Sequence, residues 1–317
     1  MQTSKGPEGQ KIQQYAMSRY MQFLTKYLAH LENQFPSVYH MYRIFMAGIK
    51  DFYQDVKTYF RIVTELNLSE KELRDLTYRE LQIYHQMPKD MVKVAPVLFL
   101  SALPFTNYII LPLLYTFPRQ LLCSHFWTLQ QRVEFATQRQ RQRLYNYRPV
   151  FRCLQEQLAS LHSSQLYAPW CTVLSRLGSG VHPTTDDILI CKPLFQDDPY
   201  SLLHLYSNHV KGLLRVHNVH TGWRRRHRLA DHAFILHKLD NAIIREGGPQ
   251  TLSHDELRWA CFLRGLSPSN VRLEELAGWL GQWLVVSQHV DDSCWSLLLH
   301  CPVLLAYNHP SNWALIH

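Results

Sequence analysis

The sequence predicts an all-α protein, and three observations lead to that prediction. No stretch of the 317 residues alternates apolar and polar side chains as a half-buried strand does. An apolar seam with spacings of four and three residues runs from Val38 to Val63. The C-terminal third repeats a helix–turn–helix pattern at an offset of 47 residues. With 46% hydrophobic residues, the chain has enough apolar material for about two helical units.

Composition narrows the class of protein further. The aromatic share of 12% argues against a largely disordered chain. Lysine and arginine number 33 against 25 acidic residues, and a net charge of +8 is compatible with nucleic acid or anionic lipid as a partner. The seven cysteines are odd in number, and none are paired as C-x-x-C. We therefore expect a reducing compartment and buried thiols instead of disulfides.

The first 37 residues predict a targeting or membrane-surface helix, since no secretory signal pattern opens them. Their middle part is basic and poor in acids, with one apolar face formed by Ile12, Ala16, Tyr20, Phe23 and Tyr27. An ordinary solvated helix fits this stretch equally well. Residues 38–92 then predict membrane-proximal amphipathic helices. The aromatic seam of the first one favours packing against a neighbour or a membrane surface over a dimeric coiled coil.

Residues 93–119 predict a transmembrane segment. Between Lys93 and Arg119 lie 25 residues without a charge, VAPVLFLSALPFTNYIILPLLYTFP. As a helix this run extends about 37 Å, enough for a hydrocarbon core of about 30 Å. Pro96, Pro104 and Pro112 weaken the alternative of a buried globular hairpin, because membrane helices tolerate proline better.

Two arginine-rich stretches are the candidate contact sites. Seven arginines and one acid lie between Arg119 and Arg152, with Arg139, Arg141 and Arg143 the densest group. The second stretch begins at Trp223 and contains Arg224, Arg225, Arg226 and Arg228. Guanidinium groups beside an indole suit RNA phosphates and bases, or an acidic protein surface. For both stretches, a solvated basic helix face remains an equally weighted alternative.

The internal repeat predicts two stacked helical pairs. Its matched apolar positions are Val210 with Leu257, Leu214 with Cys261, Val219 with Leu266, Leu229 with Leu276, Ala233 with Leu280, and Leu236 with Trp283. Ser253 and Glu256 form a capping-box pattern that opens the second copy. Gly265 predicts the end of the first helix of that copy.

Signals for catalysis, cofactors and metals are weak. The 18 histidines include no H-E-x-x-H pattern, and His227, His232 and His237 are spaced so that they do not share a helix face. Scattered surface histidines are therefore favoured over a zinc centre. No G-x-S-x-G or phosphate-binding glycine loop occurs. Paired acids such as Asp186 and Asp187 fit helix caps. We expect no enzyme activity, no cofactor and no metal.

The C-terminal repeat resembles the signature of the LETM family of mitochondrial inner-membrane proteins. The resemblance is carried by LSHDELRWACFLRGL (252–266), LEELAGWLGQWL (273–284) and SLLLHCPVLL (296–305), and the proline spacing from Pro104 to Pro118 agrees with it. It covers about residues 38–310 and is nearest to the short members, which lack the EF-hand and coiled-coil tail. It implies that residues 120–317 form an all-helical ribosome-binding-like (14-3-3-like) LETM domain after a single membrane span.

The function implied by this resemblance is that of a membrane-anchored adaptor. It places the protein in the mitochondrial inner membrane with its C-terminal domain in the matrix, the outer membrane being the alternative location. The expected partners are the mitochondrial ribosome (protein or rRNA), inner-membrane lipids and respiratory-chain assembly factors, in support of mitochondrial structure, translation and oxidative phosphorylation. The two arginine groups are the expected contacts.

The alternative is a cation/proton antiporter or its regulatory subunit. Where the longer family members carry Glu and Lys in the membrane segment, an ungapped alignment puts Asn107 and Tyr115 here. An ion pathway normally needs an ionisable group at such positions, so the adaptor is favoured. Asn107 stays the polar position to test.

Overall fold

The computed structural model describes residues 36–68, 71–101, 113–114 and 116–316, and every regular element in these ranges is helical. The predicted all-α class is confirmed. The α-helices are α1 (Pro36–Leu68), α2 (Tyr78–Ser101), α3 (Pro118–Leu121), α4 (Leu129–Leu144), α5 (Tyr147–Glu156), α6 (Tyr167–Gly178), α7 (Thr185–Ile190), α8 (Pro193–Gln196), α9 (Ser207–Val216), α10 (Arg225–Arg245), α11 (His254–Leu263), α12 (Leu273–Gln288), α13 (Trp295–Ala306) and α14 (Pro310–Trp313). Short 3₁₀ turns lie at Leu73–Asp75, Ser124–Phe126, Gln157–Leu161 and Pro249–Thr251.

The described chain divides into two compact units. The smaller unit contains α1 up to Lys57 together with Asp90–Arg132. The larger unit contains Thr58–Lys89 and Val133–His317. The C-terminal part of the larger unit begins at Val133, whereas the sequence placed the start of this domain at residue 120. Its earlier part, Thr58–Lys89, lies within residues 38–92, which the sequence assigned to separate amphipathic helices.

Helix α13 is the centre of the larger unit. Every residue from Ser296 to Ala306 is buried, as expected of a helix that is apolar on all sides. It packs against α5, α8, α9, α10 and α12. Beside it, the indole of Trp170 donates a hydrogen bond to the Tyr200 hydroxyl at 3.0 Å, and that hydroxyl donates to the Leu154 carbonyl at 2.6 Å. The polar ends of these large rings are thus satisfied inside the core.

The predicted repeat is confirmed by the helices themselves. Helices α9 and α11 begin at residues 207 and 254 and end at residues 216 and 263, so both ends are offset by 47. Eleven of the twelve matched apolar side chains are buried, and Val219 packs against the same core while partly buried. The Ser253 hydroxyl accepts from the Glu256 amide, which confirms the capping box. Gly265 adopts a φ of +100° after α11, as the predicted helix stop requires.

A buried ion pair joins the two halves of the repeat. Asp240 on α10 and Arg264 at the end of α11 are both fully buried, and the Arg264 Nε donates to Asp240 Oδ1 at 2.8 Å. The other carboxylate oxygen, Oδ2, accepts from the Trp283 indole at 3.0 Å and from the Ser287 hydroxyl at 2.6 Å. Burial acts against the charge of Arg264, but Asp240 and then Tyr78 raise its pKa overall. Each buried charge therefore has the other as its partner, and the carboxylate also accepts hydrogen bonds from two neutral donors.

The segment 58–89 is anchored to this repeat by backbone contacts. The Tyr78 amide donates to the Glu246 carboxylate at 2.6 Å, and the Arg245 guanidinium donates to the Leu76 carbonyl. Ile62, Leu76 and Tyr78 are buried in the same core. The second half of α1 and the first half of α2 are therefore part of the helical domain, although they precede the uncharged run.

The smaller unit brings α1 close to the connector that follows α3. The Phe126 ring packs against Phe45 with centroids 5.3 Å apart, and the Phe52 ring lies edge-on to the His125 ring at 5.7 Å. Gly48 permits this approach, because a Cβ there would lie 2.6 Å from the His125 carbonyl oxygen. The predicted amphipathic helix is confirmed as α1, with Phe45, Phe52 and Val63 of its seam half-buried and Ile49 37% exposed.

The predicted membrane segment is only partly covered by the described residues. Residues 94–101 form the last two turns of α2, and α3 begins at Pro118, whereas residues 102–112 and 115 lie outside the described ranges. None of the helices in those ranges combines the length and the apolar character that crossing a membrane requires. Asn107 and the predicted targeting helix within residues 1–37, apart from its last two residues, also lie outside them.

Candidate functional site

The loop between α9 and α10 carries the most exposed part of the predicted contact site. Trp223 is 87% exposed. Arg224 follows it at the start of α10 with a φ of +55°, a left-handed conformation that is uncommon for a residue with a Cβ. Arg224 is exposed, and no hydrogen bond or ion pair of its side chain is recorded within the described part of the chain. This pair of side chains is therefore open to solvent.

The other three arginines of this group are held by their own domain. Arg225 donates to the Thr221 carbonyl at 3.0 Å, and Arg226 donates to the carbonyls of Leu202 and Leu205 at 3.1 and 2.7 Å. The guanidinium of Arg228 lies 3.0 Å from the His220 ring nitrogen Nδ1. Each guanidinium has five N–H donors, so these contacts orient the groups and leave other donors for a ligand.

The second predicted group, on α4, does not form one surface. Arg139 is half-buried, while Arg141 is exposed and its Nε donates to the Leu315 carbonyl at 2.9 Å. Arg143 is only 3% exposed, so the prediction that it contacts a partner is wrong. An alternating Arg-Gln-Arg-Gln-Arg run on a helix spreads its side chains around the axis, and one of them therefore points into the core.

Arg143 instead binds the ends of two helices. Its Nε donates to the Val216 carbonyl at 2.6 Å, and its two terminal nitrogens donate to the carbonyls of Phe262 at 2.5 Å and Leu263 at 3.1 Å. Val216 ends α9 and Leu263 ends α11, and these are equivalent positions of the repeat. Helix C-termini have unpaired carbonyls and a negative dipole end, so one cation stabilises both. Burial lowers the pKa of Arg143.

A shallow depression lies between the junction of α4 with α5 and the end of α9 with the loop that follows it. It has a volume of about 580 Å³ and is lined by Gln142, Tyr145, Asn146, Arg215, Asn218, Val219 and His220. We call these seven residues, with Arg228 at the His220 end, the basic depression. Tyr145 is 60% exposed and Arg215 is exposed, and no acidic side chain belongs to the lining. Cationic, amide and aromatic groups of this kind suit a polyanion with exposed bases.

Sequence reasoning missed most of the basic depression. Arg215 lies in the last turn of α9, and Tyr145 and Asn146 lie between α4 and α5. One signal was available, because Arg215 and Arg228 flank the loop that contains Trp223. The approach of Gln142 to Asn218 over 76 residues could not be read from spacing.

Three histidines lie in the core of the larger unit, where surface histidines were expected. His209 and His300 are buried with their Nε2 atoms 2.8 Å apart, and His300 Nδ1 lies 2.6 Å from the Ser296 carbonyl. That carbonyl can only accept, so His300 Nδ1 carries the proton and His209 donates to His300 Nε2. His217 is also buried and donates through Nε2 to the Leu299 carbonyl at 2.8 Å. The prediction of surface positions is wrong for these rings.

These neutral rings make the fold sensitive to acid. Burial, followed by the neighbouring His300, lowers the pKa of His209 to about 2, and burial lowers that of His300 to about 4. In the unfolded chain both rings have a pKa near 6.5, so above that pH they do not reduce the free energy of unfolding. Below pH 6.5 the unfolded chain takes up protons that the folded chain does not, and the free energy of unfolding falls as the pH decreases toward 4. At pH 5 we expect each ring to lower the free energy of unfolding by about 2 kcal/mol. Denaturant titrations from pH 7.5 to 5 measure this loss.

Replacing the two buried rings tests this assignment, and replacing an exposed ring is the matched control. A His209→Gln/His300→Gln variant should show a flatter dependence of stability on pH, whereas His227→Gln, at an exposed position, should keep the original slope. An unchanged slope in the double variant would contradict the assignment of the acid sensitivity to this pair.

The smaller unit contains a group of metal-ligating side chains. One ligand atom each of Asp90, Cys123 and His125 lies within 4.8 Å of the others. The Cys123 sulfur is 3.3 Å from His125 Nδ1, and Asp55 Oδ2 is 2.9 Å from His125 Nε2. Burial opposes protonation of His125, but the hydrogen bonds to Asp55 and then Cys123 raise its pKa to about 10. These four residues show no spacing pattern typical of a metal site, since they are spread from position 55 to position 125 of the sequence.

Comparison with known proteins places the chain in a family. The family model described as "LETM1-like, RBD" matches residues 76–304. LETM1 domain-containing protein 1 of Xenopus tropicalis is 33% identical over 287 residues, which cover 90% of this chain and 82% of that protein. The human protein of the same name is 32% identical over 302 residues, which cover 94% of this chain and 83% of that protein. No solved structure matches significantly. This chain belongs to the LETM1-like family.

Proposed function

We propose that this protein is a non-enzymatic adaptor whose larger helical unit docks on the mitochondrial ribosome. The proposal is supported by membership of the LETM1-like family, whose matching model carries the designation RBD over residues 76–304. The observation that carries it is the basic depression beside the exposed Trp223 and Arg224. An acid-free basic surface with aromatic groups is suited to ribosomal RNA, where phosphates supply charge and unpaired bases supply stacking surfaces.

The contact residues of this proposal differ from those of the sequence prediction. Trp223 and Arg224 supply the exposed edge, while Arg215 and Arg228 border the basic depression, and we call these four residues the rim. Arg225 and Arg226 hold the loop through backbone carbonyls, and Arg143 binds the Val216 carbonyl, two residues before Asn218 of the lining. The rim is thus built on a rigid base, which lowers the entropy lost on binding.

The proposal includes attachment to the mitochondrial inner membrane. The uncharged run of residues 94–118 would attach the chain to this membrane from the matrix side, because residues 58–89 and 133–317 pack in one unit and must lie on the same side of the membrane. A single crossing by this run is therefore not part of the proposal. Inner-membrane lipids and respiratory-chain assembly factors complete the set of proposed partners. The alternative, cation/proton exchange, depends on Asn107, which lies outside the described residues, so it rests on the family resemblance alone.

Charge reversal on the rim tests the ribosome contact. An Arg215→Glu/Arg224→Glu variant places two acids where phosphates would bind, so we expect at least a tenfold loss of co-sedimentation with the ribosomal large subunit. The measurement is sucrose-gradient sedimentation of gently solubilised mitochondria, with and without EDTA. Trp223→Ala should weaken the association by about 1–3 kcal/mol if a base stacks on the indole.

The control is matched in charge and exposure. Arg79→Glu/Arg258→Glu changes two exposed arginines that do not line the basic depression and should sediment like the natural chain. Equal loss in both double variants would point to net charge instead of a specific surface. Unchanged sedimentation of the rim variant would remove this surface from the proposal. Potassium or calcium flux from vesicles holding the purified chain would then favour the exchanger.

A further inference from the structure

Two segments of the smaller unit bring three donor atoms together. Cys123 and His125 come from the connector after α3, and Asp90 comes from α2. Cys123 is 1% exposed and Asp90 is 5% exposed, so a thiol and a carboxylate lie together in a mostly buried place. The side chains are close enough for one ion to bridge them, since the three ligand atoms lie within 4.8 Å of one another.

Asp55 on α1 orients the ring. Its carboxylate oxygen Oδ2 lies 2.9 Å from His125 Nε2, and a carboxylate accepts the proton that Nε2 carries. The other nitrogen, Nδ1, lies on the Cys123 side at 3.3 Å from the sulfur, and it offers a lone pair to a cation that displaces its proton. Histidines that ligate metals commonly donate their second ring N–H to a carboxylate in this way.

We propose that Asp90, Cys123 and His125 bind a zinc ion, and that Asp55 holds the His125 ring in its ligating orientation. One sulfur, one nitrogen and one oxygen donor suit Zn²⁺, whereas Ca²⁺ and Mg²⁺ select oxygen donors. Tetrahedral Zn²⁺ separates a thiolate sulfur from an imidazole nitrogen by roughly 3.5 Å, close to the 3.3 Å observed here. Water completes the fourth position.

The same atoms do not favour a cysteine nucleophile. A thiol beside an imidazole whose far nitrogen binds a carboxylate is the arrangement of a cysteine hydrolase. Cys123 is nevertheless 1% exposed, so a substrate carbonyl could not reach its sulfur. A small ion needs much less space, and the burial that excludes a substrate stabilises a metal–thiolate bond.

An ion here would connect segments that have little other core. The buried apolar side chains in the described part of the smaller unit are Val94, Val97, Leu114, Leu122, Cys123, Phe126 and Trp127. Small units of this kind depend on added links such as metals. Because the ligands and Asp55 come from α1, α2 and the connector, binding would stabilise the smaller unit.

Cobalt spectroscopy of the full-length chain in detergent tests the proposal. After EDTA treatment and dialysis, one equivalent of Co²⁺ alone should give tetrahedral d–d bands and a thiolate-to-cobalt charge-transfer band, and Zn²⁺ should abolish both. Cys123→Ser should lose the charge-transfer band, whereas Cys153→Ser, a half-buried thiol elsewhere, should keep it. Binding without a thiolate band, or an equal band in Cys123→Ser, would overturn the proposal.

A conservative variant separates ion binding from folding. Asp55→Asn keeps a hydrogen-bond acceptor but removes the charge, so we expect 10–100-fold weaker Co²⁺ binding with the charge-transfer band retained at saturation. Asp90→Asn should also weaken binding at least tenfold. Unchanged affinity in both variants would remove the carboxylates from the site, even if Cys123→Ser failed to fold.

Discussion

Replacing Arg143 by methionine should lower the free energy of unfolding by about 3–5 kcal/mol. Methionine fills a similar volume, but the carbonyls of Val216 and Leu263 lose the Arg143 donor, and the Phe262 carbonyl keeps only the Gly265 amide. Each buried carbonyl left without a partner costs about 1–3 kcal/mol, and relief from burying the Arg143 charge offsets only part of this. The loss is large because one side chain caps α9 and α11 together.

Thermal and denaturant unfolding of the full-length chain measures this loss. A decrease of this size corresponds to a shift of the unfolding midpoint on the order of 10 °C for a domain of 150–250 residues. Arg141→Met is the control, because Arg141 is exposed two residues away, and it should change stability by less than about 0.5 kcal/mol. Similar effects of the two substitutions would show that the helix-end contacts contribute little.

Breaking the pair of Asp240 and Arg264 is the second change for which we expect a large effect. Asp240→Asn leaves the Arg264 charge uncompensated at a fully buried position, and Arg264→Met leaves Asp240 in the same state. Each single change should cost about 3–5 kcal/mol. The oxygen of an asparagine at position 240 can still accept from the Trp283 indole and the Ser287 hydroxyl, but its amide nitrogen then faces the Arg264 guanidinium, so the effect combines the loss of the charge with the loss of the hydrogen bonds to Arg264.

The double variant tests whether the cost arises from the unpaired charge. Asp240→Asn/Arg264→Met removes both charges, so its loss should be smaller than the sum of the single losses by about 1–3 kcal/mol. Denaturant unfolding of all four chains gives this coupling energy directly. Additive losses would indicate that packing, and not electrostatic pairing, determines the stability at this position.

The two buried arginines show how the domain supports its proposed binding surface. Arg264 is paired with a carboxylate inside the repeat, whereas Arg143 is paired with carbonyls at the repeat's two helix ends. The Val216 carbonyl that Arg143 binds lies one residue before His217 and two before Asn218, which lines the basic depression. We therefore expect Arg143→Met to disturb the rim as well as the core.

Much of the helical domain could be predicted because its signals are local. The 47-residue offset, the Ser253 capping box and the Gly265 helix stop were all confirmed. Each depends on residues within one or two turns, where backbone hydrogen bonding and apolar periodicity dominate. The adjacent acids at Asp186 and Asp187 were likewise correctly assigned to a helix start, since they lie in the first turn of α7.

The functional residues were less predictable because their roles depend on distant partners. A run of three arginines on α4 has the same local appearance whether a given side chain faces solvent or the core. Arg143 can be buried because backbone carbonyls about 70 and 120 residues further along the chain accept its hydrogen bonds. Asp55 and His125 are separated by 70 residues and meet only where Gly48 lets the connector approach α1.

By itself, the sequence determined the helical class, the repeat, the family and the basic character of this protein. Short-range periodicity and capping set these features, and they persist in almost any packing of the same helices. Only the tertiary structure decided which cations are exposed, which histidines stay neutral, and which donors lie around Cys123. Those properties depend on burial and on contacts between residues that are far apart in the sequence. Local sequence patterns do not encode such contacts.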